Sequence, residues 1–443
     1  MKILLSSSPS FRDDLKPLLQ RSAFDPAIDA AVAPILADIR REGDAAVARY
    51  AAKFDHADLT PDQFRVPDAE LDQAEAQMDE ETKTAIRAAV EHIGQFSRQR
   101  LPQPWSFSPR PGVTLGEKFA PLDRVACYIP GGTAPLVSTT VHTAAIAAAA
   151  GVREICVITP PGPGGRVNPA ILFACRAAGV TEVYRLGGVY GIAAMGYGTQ
   201  TIRKAEKIVG PGNAYVTAAK RLMYGEVALD LVAGPSEIMI IADHTASPAY
   251  IAADLLSQAE HGSGYEKSLC VCTSAAFAEK IRAEVLAQTK TLSRRALVER
   301  VIDRDGILIV VAKDVAEGLA VVNAFAPEHF EIMTKDALKV MKGVRSAGAV
   351  FAGAWTPESA GDFVAGPSHV LPTGGAANMF SGLTPDDFRR RHSFVAFTRD
   401  DLAQTRPTIE AFAAVEGLDG HGRAATVRFT VFSTINSTEK RKK

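Results

Sequence analysis

The sequence predicts an α/β fold built on parallel sheets, and three observations carry that expectation. From about residue 123 onward, short β-branched and apolar runs alternate with helix-length segments, as strands do when right-handed helical crossovers join them. Glycine-rich turns follow several of the strands, at the carboxyl ends where a parallel sheet offers ligand sites. With 443 residues, 47% of them hydrophobic and 22% charged, the chain exceeds one ordinary core and suits two large domains plus an appendage.

Taken in order, Ala27 to Phe54 reads as an amphipathic helix, with Val32, Leu36, Ile39, Val47 and Tyr50 at helical spacing around Gly43. Leu71 to Arg100 reads as a second. Both look like scaffold. The prolines of Pro102 to Gly112 mark a linker. Asp123 to Ile129 is a strand running into Pro130-Gly131-Gly132, followed by an alanine-rich helix over Thr139 to Ala150. The strand Glu154 to Thr159, the helix Asn168 to Ala178, the strand Glu182 to Leu186, the turn Gly187-Gly188 and the helix Ile192 to Tyr197 continue the alternation. Glycine in these turns and in Gly210-Pro-Gly-Asn213 lets a backbone approach a phosphate. The GxGxxG fingerprint is missing, so a nucleotide site and ordinary tight turns both remain open. Further on, Ile238 to Ala242 is a buried strand, a helix opens at Pro248, and strands fall at Leu269 to Thr273, Gly306 to Val311 and Gly348 to Gly353. Helices lie near Ala275 to Ala287, Ala316 to Phe325 and Arg406 to Glu416. From Pro385 the mixed composition suggests an arm.

A net charge of -1 gives no reason to expect nucleic acid or an anionic membrane as partner. The terminal Lys440-Arg-Lys-Lys443 reads as a solvated tail. The apolar N-terminal patch is too short for a signal peptide and no run reaches membrane-spanning length, so a cytoplasmic protein is expected. Five cysteines, Cys127, Cys156, Cys175, Cys270 and Cys272, lack zinc-cluster spacing and read as buried thiols of a reducing compartment.

Three stretches could carry chemistry. Gln258 and His261 stand three apart at a helix end closed by Gly262, so they share a face. Two readings stand, half a metal site and a capping pair. Glu328 and His329 are a carboxylate beside an imidazole, which can divide proton transfers between them. On their own they read first as a loop-end surface pair. The Gly, Pro, Asp and His residues of Thr356 to Gly375 make little sense as core and fit a loop lining a site.

GDAAVARYAAKFD, PGGTAPL, YGTQTIRKAEKIVGPGNAYVTAAK, DLVAGPSE, LLSQAEHG, APEHFEI, TPESAGDFVAGPSHVLPTGG and EGLDGHGRAA follow one another over nearly the whole chain, and together they resemble the histidinol dehydrogenase family. The resemblance implies two Rossmann-like domains of the aldehyde dehydrogenase kind. The first is expected over 1–122 with 243–383, carrying metal and catalytic residues. An NAD-binding domain is expected over 123–242, and a C-terminal arm over 384–443 that swaps in a homodimer. It implies one Zn2+ per subunit, held by Gln258, His261, Asp362 and the partner subunit's His421, and NAD as cofactor. Glu328 and His329 become the catalytic pair. Ser236, His369 and Glu416 match positions that touch substrate. Tyr128, Pro130, Gly131, Gly132, Tyr190 and Asn213 fall on the nucleotide side.

Four departures from the family's pattern are visible: His261-Gly-Ser-Gly-Tyr-Glu-Lys267, Gly187-Gly-Val-Tyr190, His142 in place of an apolar residue, and Ala377-Asn378-Met-Phe. His142, Lys267, Tyr190 and Asn378 would add donors and positive charge to the substrate shell. On that reading the chain oxidises a small primary alcohol through an aldehyde to the acid, with an anionic diol such as 2,3-dihydroxypropane-1-sulfonate as substrate, giving sulfolactate, in the manner of the sulfopropanediol 3-dehydrogenase branch. L-Histidinol to L-histidine is the alternative. A silent metal- or nucleotide-binding homologue is the third.

Overall fold

In a computed structural model, the protein is described over residues 1–21, 25–131 and 135–439, with side chains described to residue 430. Gly132 and the tail Lys440 to Lys443 lie outside the described residues. Two compact units divide the chain, one of Met1–Leu101 with Pro121–Phe388 and one of Pro102–Ala120 with Arg389–Lys443.

The first unit holds two parallel sheets. One has six strands in the order Lys2–Leu5, Ile307–Val311, Lys267–Cys272, Glu237–Ala242, His329–Met333 and Ala349–Ala352. The other has five, ordered Glu182–Tyr184, Glu154–Ile158, Arg124–Tyr128, Lys207–Val209 and Ala228–Leu229. Central strands such as Glu237–Ala242 and Arg124–Tyr128 are buried at every position, which is why they read as apolar runs without alternation.

Several elements fall elsewhere than expected. Glu237–Ala242, placed by sequence with the second domain, pairs with Lys267–Cys272 and His329–Met333 at the centre of the six-stranded sheet. The N-terminal helices, placed with the first domain, instead cover the five-stranded sheet. Val32, Leu36, Val47 and Tyr50 pack with Ala126, Tyr128 and Ile158 on one face, and Leu71, Ile86 and Ile93 pack with Val125, Cys127 and Val157 on the other. A strand buried on both faces needs apolar cover twice, and these helices supply it. The helix expected from Ala27 to Phe54 is two, Pro26–Glu42 and Asp44–Asp55, broken where Gly43 takes φ 58°. Leu71 to Arg100 likewise divides into Asp68–Ala74 and Glu80–Gln99, the latter capped by Asp79 accepting from the Thr82 amide.

The second unit is a three-stranded sheet, ordered Arg389–Phe397, Val113–Pro121 and Trp105–Phe107, with the helices Arg399–Glu416 and Asp419–Glu439. The expected linker therefore contains a strand, Trp105–Phe107, antiparallel to its neighbour. Arg110 donates to Asp401 at 2.6 and 3.0 Å. Among the described residues no helix is long and apolar enough to cross a membrane.

Candidate active site

The six-stranded sheet changes direction between Glu237–Ala242 and His329–Met333, the point from which its later strands are added on opposite sides. Glu237, His329 and Lys267 all begin strands there, so the cluster lies at the amino ends of this sheet rather than the carboxyl ends. Glu328 and His329 are 7% and 3% exposed, which overturns the reading of a surface pair.

The main chain of Glu237 holds both. Its N–H donates to Glu328 Oε2 at 2.8 Å, and its carbonyl lies 3.0 Å from His329 Nδ1. In the neutral ring the proton sits on Nδ1, toward that carbonyl, and Nε2 is the free nitrogen. The Glu237 carboxylate is itself gripped by Arg21, whose Nη2 donates to Oε2 at 2.9 Å and to the Phe325 carbonyl at 2.8 Å, with the guanidinium stacked 3.5 Å over the Phe325 ring.

His329 Nε2 faces two carboxylates, Asp362 Oδ1 at 3.4 Å and Glu358 Oε1 at 3.9 Å. Both come from the short helix Glu358–Phe363, on one face by their spacing of four. Glu358 was missed by the sequence reading, and that spacing was its signal. Ser257 Oγ donates to Glu358 Oε2 at 2.9 Å, and the Glu358 amide donates to Glu331 Oε1 at 2.7 Å.

Burial pushes the Glu328 carboxyl up to about 8 and Glu358 to about 8, the latter helped by Asp362. For His329 burial opposes the charged form, but Glu328 and then Asp362 outweigh it and raise the imidazole to about 10. Burial also works against the Asp362 charge, yet the imidazole of His329, 3.4 Å away, holds that carboxyl well below the usual range.

On the helix Pro248–Ala259, Gln258 is fully buried, and neither atom of its amide has a partner among the described residues. His261 lies two residues past the end of that helix, with Nδ1 3.0 Å from the Gln258 carbonyl, leaving Nε2 free. His329, Glu358 and Asp362 bring ligand atoms within 4.8 Å of one another, and His329 Nε2, Glu358 Oε1 and Asp362 Oδ1 are all buried without a hydrogen bond. Buried polar atoms normally have partners. The unpaired atoms of His329, Glu358 and Asp362, close to one another, fit a divalent cation of the zinc class.

His369 Nδ1 stands 3.8 Å from Asp362 Oδ1, and its Nε2 meets Thr139 Oγ1 at 3.2 Å. His142, on the helix that leaves strand Arg124–Tyr128, stacks on His369 with centroids 4.3 Å apart. Burial holds His142 well below the usual histidine range, and His369 adds to the effect. The expected donors of positive charge do not assemble otherwise. Tyr190 is fully buried in the other sheet's core, donating to Asp55 and accepting from the Gly187 amide at 3.0 Å. Asn378 is exposed and turned to the Gly375 carbonyl. Lys267 is half-buried in register with Glu237, and burial lowers its ammonium. Ser236 is partly buried beside it, its carbonyl accepting from the Lys267 amide.

On the nucleotide side, Tyr128, Pro130 and Gly131 end strand Arg124–Tyr128. The Gly188 amide donates to the Tyr128 hydroxyl at 3.2 Å, and Gly210, at φ 110°, leaves room for the Tyr128 carbonyl where a Cβ would lie 2.3 Å away. Asn213 caps the helix Ala214–Leu222, accepting from the Tyr215 and Val216 amides. These are carboxyl ends of the five-stranded sheet. Glu416 and His421 belong to the second unit, both exposed.

Fold and cluster together define a doubly wound α/β protein whose imidazole and carboxyl cluster suits acid/base chemistry and a divalent cation. The histidinol dehydrogenase family model matches residues 19–429. The histidinol dehydrogenase of Gloeobacter violaceus is 42% identical over 409 residues, 92% of each chain, and that of Syntrophotalea carbinolica 39% over 429 residues, 97% of this chain and 99% of the relative. The crystal structure of histidinol dehydrogenase from Elizabethkingia anophelis superposes with a TM-score of 0.91 at 35% identity, covering 98% of this chain and 99% of that one. The chain belongs to the histidinol dehydrogenase family, NAD-dependent oxidoreductases that take an alcohol to an acid in two steps with NAD and Zn2+.

Proposed function

We propose that the chain oxidises L-histidinol to L-histidine, with Gln258, His261 and Asp362 holding the zinc and His421 of a second subunit completing its shell. The observation that carries the substrate is the similarity to histidinol dehydrogenases at about 40% identity. The carboxyl oxygens of Glu358 and Asp362, gathered beside His329, offer acceptors to a cationic amine, with Asp362 held ionised.

His329 Nε2 takes the hydroxyl proton in each oxidation, its ring oriented by the Glu237 carbonyl. Glu328, raised toward neutral pH, removes a proton from the water that attacks the aldehyde. Glu358 and His369 orient the substrate's polar groups. The zinc, when bound, supplies positive charge beside Asp362 that orients the alcohol and eases the proton from His329, while NAD receives the hydrides. Exposed apolar residues of the arm, Phe412 at 65% and Val415 at 88%, support a homodimer.

NADH formation by zinc-loaded protein decides the substrate. L-Histidinol should exceed 2,3-dihydroxypropane-1-sulfonate in kcat/KM by roughly tenfold or more. The reverse order would return the substrate to the anionic diol.

A further inference from the structure

The helix that leaves strand Arg124–Tyr128 does not stay α-helical. Val141–Ala145 forms a π turn between Val137–Thr140 and Ile146–Ala149, a rare feature frequently found at functional sites. His142 is carried on this turn and is 0% exposed. Its ring lies almost parallel to that of His369, at 14°. The His369 amide donates to His142 Nδ1 at 3.3 Å, and Ser368 Oγ donates to the His142 carbonyl at 3.2 Å. A nitrogen that accepts carries no proton, so His142 is the neutral tautomer with hydrogen on Nε2. Nothing in the proton transfers above uses it.

Resting on the function proposed above, we propose that His142 is a positioning residue: by stacking on His369 and accepting its amide, it fixes the ring that lies between Thr139 and Asp362, and so sets the fit of a cationic amino alcohol. His369 is then constrained on its face by His142, at Nε2 by Thr139 and at its own backbone. A ring left without the stack would rotate, and the substrate would lose a preset contact. Because the stacking ring is uncharged, it adds no attraction for an anion.

The test compares KM and kcat for L-histidinol in wild type, His142→Leu and His142→Phe as zinc-loaded holoenzyme. Loss of stack and acceptor in His142→Leu should raise KM about tenfold while kcat changes less, and His142→Phe, which keeps the flat face, should recover part of the loss. A purely structural role would lower the melting temperature and leave KM unchanged. An unchanged KM, or His142→Phe no better than His142→Leu, overturns the proposal. So does a His142→Leu variant that loses the sulfonated diol alone, which would make His142 an anion donor. If His142→Leu does not accumulate folded, His142→Gln, which keeps an acceptor without the ring, is read by the same criteria. Wild type that prefers another alcohol would refute the function and leave the variants to be read on that alcohol.

Discussion

Glu328→Gln should gain stability relative to wild type as the pH rises, at the expense of its chemistry. The Glu328 carboxyl moves from 4.5 to about 8 on folding, chiefly by burial. This is the reverse of the usual carboxylate. On raising the pH the unfolded chain loses its proton near 4.5, while the folded protein keeps it until about 8. Between those values the unfolded state gains and wild-type stability falls, by about 1.4 kcal/mol per pH unit. Glutamine imitates the protonated acid, and its amide oxygen can still accept from the Glu237 N–H. The stability difference between variant and wild type should therefore widen by roughly 2–3 kcal/mol between pH 5 and pH 7. Urea unfolding of chelator-treated protein at stepped pH measures it, since protein groups alone then set the proton affinities. A difference that stays flat across the window would show that Glu328 ionises normally in the folded state.

The same variant should slow oxidation of supplied aldehyde by about 100-fold while affecting the first oxidation less; equal losses would remove Glu328 from water activation. Gln258→Ala should lower zinc retained after dialysis against a chelator, because the amide has no other partner among the described residues, and undiminished zinc content would exclude it as a ligand. Tyr190→Phe leaves Asp55 and the Gly187 amide short of a hydrogen bond in a buried setting, and should cost about 1–3 kcal/mol in urea unfolding; a neutral result would mean that water replaces the hydroxyl.

Much of this architecture was legible in the order of residues. Strands such as Glu154–Ile158 and Lys267–Cys272 announce themselves because burial on both faces makes them continuously apolar. Gln258 lies within its helix, while His261 falls two residues beyond the helix end and is tied back to the Gln258 carbonyl through Nδ1. Sheet membership was not legible: Ile238 to Ala242 looks the same in either sheet, and only pairing with His329–Met333 decides. Whether Glu328 and His329 were surface or core depended on the strand that begins at His329, which their loop-like neighbours concealed. Expected donors such as Tyr190 are absent from the site for a related reason. A hydroxyl or imidazole named in sequence carries no record of its partner, and Tyr190 had spent its proton on Asp55.

Arg21 lies ahead of the helical scaffold, yet through Glu237 it braces the peptide that aligns Glu328 and His329. The catalytic pair is thus buttressed from a segment some three hundred residues distant along the chain. Anyone trimming that segment, or fusing a bulky tag to it, would be tampering with the reaction centre. Such a protein would lose turnover although Glu328 and His329 themselves were unchanged.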